Sequence, residues 1–230
     1  MALDEDRWFP EPPKKGERIF RSDDTLWPAN ARVGRLPYSG DRDPPYSEGY
    51  RMAARQLTEG IETKGERGSD QDYLVYPIIF LYRHHLELVL KRLIDMLVDL
   101  SDEPVDEETR KHLTQHNLAQ LWACCKRIWS RDPLEGIRPQ PVWIDGVESY
   151  IQQISAVDED SETFRYPRKK RGGDSIPKGL KYINIVVFSG HMERLCGQLD
   201  GFDSYLDYLL ETRNDMRAEI GNDMTSDCGY

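Results

Sequence analysis

The sequence has no apolar run approaching the roughly 20 residues that a membrane-spanning helix requires. Its longest apolar run, residues 73–82, continues directly into Arg83, His84 and His85. The N-terminal residues 1–6 lack the basic region and apolar stretch of a signal peptide. These absences predict a cytoplasmic protein with no membrane partner.

Cysteine and the common phosphate-binding motifs are also scarce or missing. The four cysteines form no C-x-x-C pair, and H-E-x-x-H does not occur, so we predict reduced thiols and no metal site. The sequence contains no G-x-x-x-x-G-K-[ST], G-x-G-x-x-G or G-x-S-x-G. P-loop, dinucleotide-binding and α/β-hydrolase enzymes are therefore excluded, and no cofactor is predicted.

Proline is concentrated at one end of the chain. Seven of the fourteen prolines precede residue 46, where each removes a backbone donor and fixes φ. Large apolar residues such as Trp8, Phe9 and Trp27 lie between them. We predict that residues 1–45 form an extended arm that docks on the main domain through these aromatic side chains.

From Tyr46 onward, apolar residues recur at steps of three and four, which predicts helices. No convincing alternating pattern predicts strands, apart from a possible short hairpin or loop at 164–181. We predict an all-α fold, a bundle of about five helices at 46–219 followed by a tail at 220–230. The predicted helices begin near Ser47, Asp72, Asn117, Trp143 and Ile183, and the last ends near Glu219.

The last predicted helix carries an apolar seam from Leu195 to Leu209 with the spacing of a bundle or coiled coil. Together with Trp122 and Trp129, the seam offers more apolar surface than one small bundle needs. We therefore predict a homodimer. A protein-interaction role with a different partner chain is an alternative.

The first polar cluster lies within the most apolar helix. Arg83, Glu87 and Lys91 are spaced four residues apart and share one helix face. They either form a solvated stripe or face a cleft and present donors to an anionic ligand. The second interpretation makes Arg83 and Glu87 ligand-binding residues.

The second cluster lies where the third predicted helix begins. His116 and Asn117 stand at a helix N-terminus, a position that favours anions. Either both contact a ligand, or Asn117 only caps the helix and His116 only precedes it.

The third cluster is a basic segment. Residues 164–181 hold seven basic side chains and one acidic one, in a chain with a net charge of −10. Such a segment can engage phosphate, and Phe164 and Tyr166 are available for stacking. A loop that pairs with the preceding acids at 158–162 is the alternative. The predicted ligand-binding residues here are Arg165, Arg168, Lys169, Lys170 and Arg171.

The order of three motifs resembles the HEPN superfamily of small helical bundles. The motifs are Leu86–Ile94, then His116–Leu121, then Phe164–Pro167. The resemblance covers about residues 73–210. It implies kinship with metal-independent ribonucleases, toxins, antiviral-defence components and nucleotide-binding or catalytically silent partners.

HEPN ribonucleases use an arginine followed by a histidine after four to six intervening residues. Arg110 and His116 have five residues between them, so the resemblance implies Arg110 as phosphate clamp and His116 as general acid and base. The pair lies at a helix start, however, whereas the family motif usually lies nearer the last helices.

Three functional hypotheses follow. The leading one is a non-catalytic or regulatory protein of prokaryotic defence or a toxin–antitoxin system that binds a nucleotide or RNA. Its site would use Arg83, Glu87, His116, Asn117 and Arg165 with the basic segment. The alternatives are a metal-independent ribonuclease that uses Arg110 and His116, and a protein-interaction bundle with no nucleic-acid ligand.

Overall fold

The chain divides into two compact units, residues 1–38 and 39–230. The computed structural model describes residues 15, 20–22, 24–31, 33, 44–64, 70–131, 134–170 and 172–227. In the first unit these residues include one short 3-10 helix, Trp27–Ala29. The predicted docking of Trp8 and Phe9 lies outside the described residues.

The second unit is all-α, as predicted. Its described part contains six α-helices and no strand. The helices are α1 (Pro44–Lys64), α2 (Asp70–Ser101), α3 (Glu107–Leu113), α4 (Leu118–Trp129), α5 (Pro141–Val157) and α6 (Ile185–Asp227). A 3-10 helix, Leu134–Ile137, lies between α4 and α5. Among the described residues, no helix is long and apolar enough to cross a membrane.

Helix α2 is the centre of the bundle and packs against α1, α4 and α6. Its core-facing residues Leu86, Leu90 and Leu93 are completely buried. The buried section was predicted at 73–82, but Tyr73 is 73% exposed and the first buried residue of α2 is Ile78. The tyrosines of the first turns, Tyr73 and Tyr76, are therefore exposed.

Helix α3 was not predicted. Asp106 is its N-cap, with the side chain accepting a hydrogen bond from Thr109 N at 2.7 Å. The same carboxylate pairs with Arg131 at 2.8 Å and Arg127 at 3.3 Å. The helix has seven residues and buries only Thr109, so it has no apolar periodicity to reveal it.

The apolar seam of helix α6 packs into the core of its own bundle. Leu195, Leu199, Phe202 and Leu206 are buried in the same core as Trp122 and Trp129. The surface predicted to join two copies is therefore not available for that contact, because the bundle itself covers it. The helix also continues to Asp227, beyond the predicted end at Glu219.

Residues 158–184 connect α5 to α6, and none of the described residues among them is helical. The hairpin predicted there is a tight turn with an isolated bridge between Arg168 and Asp174. Gly172 and Gly173 have φ of +86° and +87°, a backbone conformation that favours glycine. This connection contributes to all three of the cavities that are described below.

Candidate functional site

Arg83 is a buried arginine that joins three segments of the chain. Its side chain is 1% exposed. Nε donates to the carbonyl of Asp158 and lies 3.2 Å from that residue's carboxylate. Nη2 donates to the carbonyl of Glu159 at 3.1 Å and also to the carbonyl of His116. Arg83 thereby holds the turn before α4 and the start of the connection 158–184 against α2.

Glu87 is the second buried charge, 2% exposed and one turn after Arg83. Its carboxylate accepts from Lys91 Nζ at 2.8 Å and from His116 Nδ1 at 2.8 Å. Arg83 Nη1 lies at 3.4 Å and His84 Nδ1 at 4.0 Å. Burial by itself raises the pKa of Glu87, but the bonds from Lys91 and His116 outweigh it and hold the pKa below its usual value.

These contacts correct two interpretations of the first polar cluster. Arg83 and Glu87 do not form a solvated stripe, because both are buried. Nor does Arg83 present free donors to a ligand, since Nε, Nη1 and Nη2 all have partners within the protein. Arg83 is a positioning residue for the segments that carry His116 and Glu159.

His116 is the exposed member of this network. Its side chain is 56% exposed, while Nδ1 is bound to the buried carboxylate of Glu87. Because that carboxylate can only accept, Nδ1 carries the proton, and Nε2 is left to act on a ligand. Asn117 caps α4, with its side-chain oxygen accepting from Gln120 N at 3.0 Å. The cap that was predicted as an alternative is confirmed, and His116 does more than precede the helix.

A cleft of about 720 Å³ lies in front of the N-terminus of α4. We call it the polar cleft. Its lining residues are Thr114, Gln115, His116, Asn117, Gln120, Glu159, Asp160, Glu162, Lys169 and Lys170. The turn before α4 and the connection 158–184 thus meet on either side of it.

The structure separates the predicted basic residues into two groups. Lys169 and Lys170 line the polar cleft, where Lys170 forms an ion pair with Glu162. Arg165 and Arg168 are exposed and are not among the lining residues. Arg171 lies outside the described residues. The pairing of Lys170 agrees with the alternative of a loop that pairs with the preceding acids.

Arg165 packs on two aromatic rings, close to the network of Arg83, Glu87 and His116. Its guanidinium is 5.4 Å from the ring centroid of Phe80 and 5.1 Å from that of Tyr166. Phe80 stacks on His84 at 5.7 Å with an interplanar angle of 9°. His84 lies beside Glu87. Arg165 is therefore connected to His116 through side-chain contacts, although the two residues do not meet in one cleft.

Two members of the predicted site have unexpected positions. Arg110 is exposed in the last turn of α3 and does not line the polar cleft with His116. Phe164, predicted to stack on a ligand, is buried, while Tyr166 is 47% exposed. The spacing that paired Arg110 with His116 therefore does not place both in the cleft.

The acidic residues of the cleft were missed as site residues. Glu159, Asp160 and Glu162 line it, and Asn117 Nδ2 donates to Glu159 Oε1 at 3.4 Å. Among the described residues, no group of three or more His, Cys, Asp or Glu side chains could hold a metal ion. The acids at 158–162 could have been found as a cluster directly before the basic segment.

His85, next to the site in sequence, is buried on the opposite side of α2 and faces α1. Nδ1 contacts the carbonyl of Ser47 at 2.9 Å, while Nε2 has no partner among the described residues. Burial lowers the pKa of His85 below its usual value of 6.5, and the hydrogen bond to Ser47 opposes this only in part. The folded protein therefore favours the neutral ring.

We expect the free energy of unfolding to fall as the pH is lowered below 6.5, because the unfolded chain then binds more protons at His85. His85→Asn keeps a donor near the position of Nδ1 and does not titrate. It should reduce the slope of stability against pH, by at most about 1.4 kcal/mol per pH unit. Urea denaturation between pH 5 and 8 measures this slope, and identical slopes in both proteins would contradict the expectation.

Comparisons with protein-family models, curated proteins and solved structures find no match to this chain. The resemblance to the HEPN superfamily therefore stays a prediction from the three sequence motifs, and the geometry of the polar cleft has to carry the functional argument.

Proposed function

We propose that the protein binds a nucleotide or a short segment of RNA in the polar cleft and acts as a non-catalytic or regulatory component. The observation that carries this proposal is the position of His116. A buried carboxylate holds its ring at the N-terminus of α4, and Lys169 and Lys170 line the same cleft. The volume of about 720 Å³ is in the range of small-molecule sites.

The phosphate would be held by complementary donors. The first turn of α4 contributes the partial positive charge of a helix N-terminus, which attracts anions. Lys169 adds formal positive charge on the opposite segment, and Lys170, which pairs with Glu162 there, is a second ammonium donor. These donors support an anionic group in the cleft without a metal ion.

The carboxylates favour a nucleotide over inorganic phosphate. Glu159, Asp160 and Glu162 would repel a bare anion, but they can accept hydrogen bonds from ribose hydroxyls and from amino groups of a base. A ligand that combines a phosphate with such donors satisfies both halves of the cleft. Nearby, Tyr166 and the guanidinium of Arg165 offer a stacking surface for an additional base of RNA.

We expect His116→Ala to weaken binding of a fluorescein-labelled ten-nucleotide RNA by about tenfold or more, because one hydrogen bond to a charged group is lost. Lys169→Ala/Lys170→Ala should weaken binding further and reduce its dependence on salt. Fluorescence anisotropy at several salt concentrations measures both effects. The labelled nucleotide mant-AMP, tested in parallel, distinguishes a mononucleotide site from one that needs RNA.

The matched control is Lys178→Ala/Lys181→Ala. These lysines are exposed and lie in the same connection, but they do not line the polar cleft. The control should bind nearly as well as the wild type. Equal losses in both double variants would mean a diffuse charge effect, and failure of the wild type to bind either probe would refute the proposed function.

A metal-independent ribonuclease is the second candidate. The pairing of His116 with the buried Glu87 favours it, because a carboxylate that orients one imidazole nitrogen prepares the other for proton transfer. In that reaction Lys169 and Lys170 would contact the phosphate in place of Arg110. The two candidates share one cleft and differ in whether the bound RNA is cut.

The biological setting and the partners stay predictions. A place in prokaryotic defence or a toxin–antitoxin system, and a cytoplasmic location, follow from the resemblance and from sequence absences. A homodimer requires a surface other than the seam of α6, since that seam is buried. The same holds for a protein partner, and light scattering at high micromolar concentration measures the mass in solution.

A further inference from the structure

A second cavity, of about 370 Å³, lies apart from the polar cleft. Helices α2, α5 and α6 and the connection 158–184 all contribute to it, and it shares no lining residue with the polar cleft. We call it the apolar pocket. It opens to the surface beside the exposed residues Gln153 and His191, and its volume lies in the range of small-molecule sites.

The walls of the apolar pocket are aliphatic and aromatic side chains, among them Ile79, Ile154, Phe164, Phe188 and Met192. Of these, Ile79, Phe164 and Met192 are buried. Water gains little in such a space, because an ordered water needs two to four polar partners. An apolar molecule of matching size would gain contacts with all of these walls.

The polar groups of the pocket are few and lie together. Tyr150 Oη and His191 Nδ1 form a hydrogen bond of 2.8 Å, and Gln153 is exposed on α5 next to them. Nε2 of His191 has no partner among the described residues, so it can bind a ligand. An apolar pocket with a small number of convergent polar groups is the usual form of a small-molecule site.

The connection 158–184 covers one side of the pocket. Leu180 and Ile183 line it, and together with Phe164 they also line a neighbouring cavity of about 290 Å³. This part of the connection therefore has open space on two sides, and its turn is closed by the hydrogen bond from Leu180 N to the carbonyl of Pro177 at 2.9 Å. Phe164, Leu180 and Ile183 thus separate the apolar pocket from this neighbouring cavity.

We infer that the apolar pocket binds a small, uncharged aromatic molecule with one hydrogen-bonding group. The rings of Phe164, Phe188 and Tyr150 favour an aromatic ligand, since aromatic pairs gain from stacked and edge-to-face contacts. Tyr150 or His191 would form the one hydrogen bond with this ligand. No Asp, Glu, Lys or Arg among the described residues lines the pocket, so a charged ligand would lose its hydration without compensation.

The probe for this inference is N-phenyl-1-naphthylamine, an uncharged aromatic amine with one N–H, whose fluorescence rises in apolar surroundings. We expect the full chain to bind it saturably at one site. Gln153→Trp, which places a large ring at the pocket from an exposed position, should raise the dissociation constant at least tenfold. His191→Ala should raise it by about two- to tenfold through the loss of one hydrogen bond.

The matched control is Gln152→Trp. Gln152 and Gln153 are both exposed on α5 and each bonds to a residue four positions earlier, but only Gln153 lines the pocket. The control should bind the probe as the wild type does. Circular dichroism and urea denaturation show whether each variant folds, and Ile154→Trp, which fills the pocket from within, gives a second test.

Two results would overturn the inference: no saturable binding by the wild type, or equal binding by Gln152→Trp and Gln153→Trp when both are folded. Binding of RNA by Gln153→Trp should be unchanged, because the polar cleft contains none of these residues. The proposals for the apolar pocket and for the polar cleft can therefore be refuted independently of each other.

Discussion

Arg83→Ala is expected to lower the free energy of unfolding by about 3–5 kcal/mol, the usual cost of removing one partner from a buried ion pair. The substitution leaves the carboxylate of Asp158 buried without its cation. It also removes the donor that reaches the carbonyls of His116 and Glu159. Unpaired buried acceptors of this kind account for most of the expected loss.

Arg83→Lys should lose less than the alanine variant but should not equal the wild type. A lysine keeps the charge, yet its ammonium cannot reproduce the planar donor geometry with which Arg83 contacts three segments. Arg55→Ala is the control, because Arg55 is half exposed and pairs with Glu59 within α1 at 3.6 Å. That control should change stability by less than about 1 kcal/mol.

Urea denaturation, followed by circular dichroism, measures all three variants. The slope m should stay constant, so that a shift in midpoint reports stability alone. A loss below about 1 kcal/mol for Arg83→Ala would mean that the loop residues Asp158 and Glu159 find other partners, and Arg83 would then not be the residue that positions them.

The helices were predictable because their signals are local. The cap at Asn117 and the apolar stripe of α4 are readable within about ten residues, and the structure confirms both. Helix α3 was not predicted because its sequence pattern is equally local but weaker. It consists of a cap at Asp106 followed by seven residues with one buried side chain. A capping aspartate alone does not distinguish a short helix from a turn.

The buried charges of the site were not predictable from local pattern. Arg83 and Asp158 are 75 positions apart, and no spacing in the sequence shows that they meet. Basic and acidic residues within an apolar helix usually mark its solvent-facing stripe. Here the turn before α4 and the connection 158–184 cover that stripe, so only tertiary structure reveals its burial.

The pairing of Arg110 with His116 shows the opposite error, in which a short spacing was taken as spatial proximity. The five intervening residues include the end of α3 and the turn before α4, which places Arg110 outside the polar cleft. The lysines that do line the cleft come from a segment more than fifty residues later. This difference gives the ribonuclease hypothesis a decisive test.

Any metal-independent RNA cleavage by this protein should fall by about 10²–10⁴ in His116→Ala, the usual contribution of general acid–base catalysis. Glu87→Gln should lower it as well, because a neutral amide oxygen accepts the hydrogen bond from His116 Nδ1 less strongly than the carboxylate does and so orients the ring less firmly. Cleavage should survive EDTA and leave 2′,3′-cyclic phosphate ends. The assay follows a labelled RNA under single-turnover conditions.

The effect of replacing Arg110 distinguishes two ribonuclease mechanisms: the one implied by the Arg110–His116 spacing, and the one in which the lysines of the polar cleft bind the phosphate. If Arg110 clamps the phosphate, Arg110→Ala should be as damaging as His116→Ala. The geometry predicts instead that Arg110→Ala changes the rate less than about threefold, a surface-charge effect, while Lys169→Ala/Lys170→Ala lowers it strongly. Undiminished cleavage by His116→Ala would exclude the polar cleft as the catalytic site. Binding without cleavage by the wild type would leave the regulatory function as the one that the cleft performs.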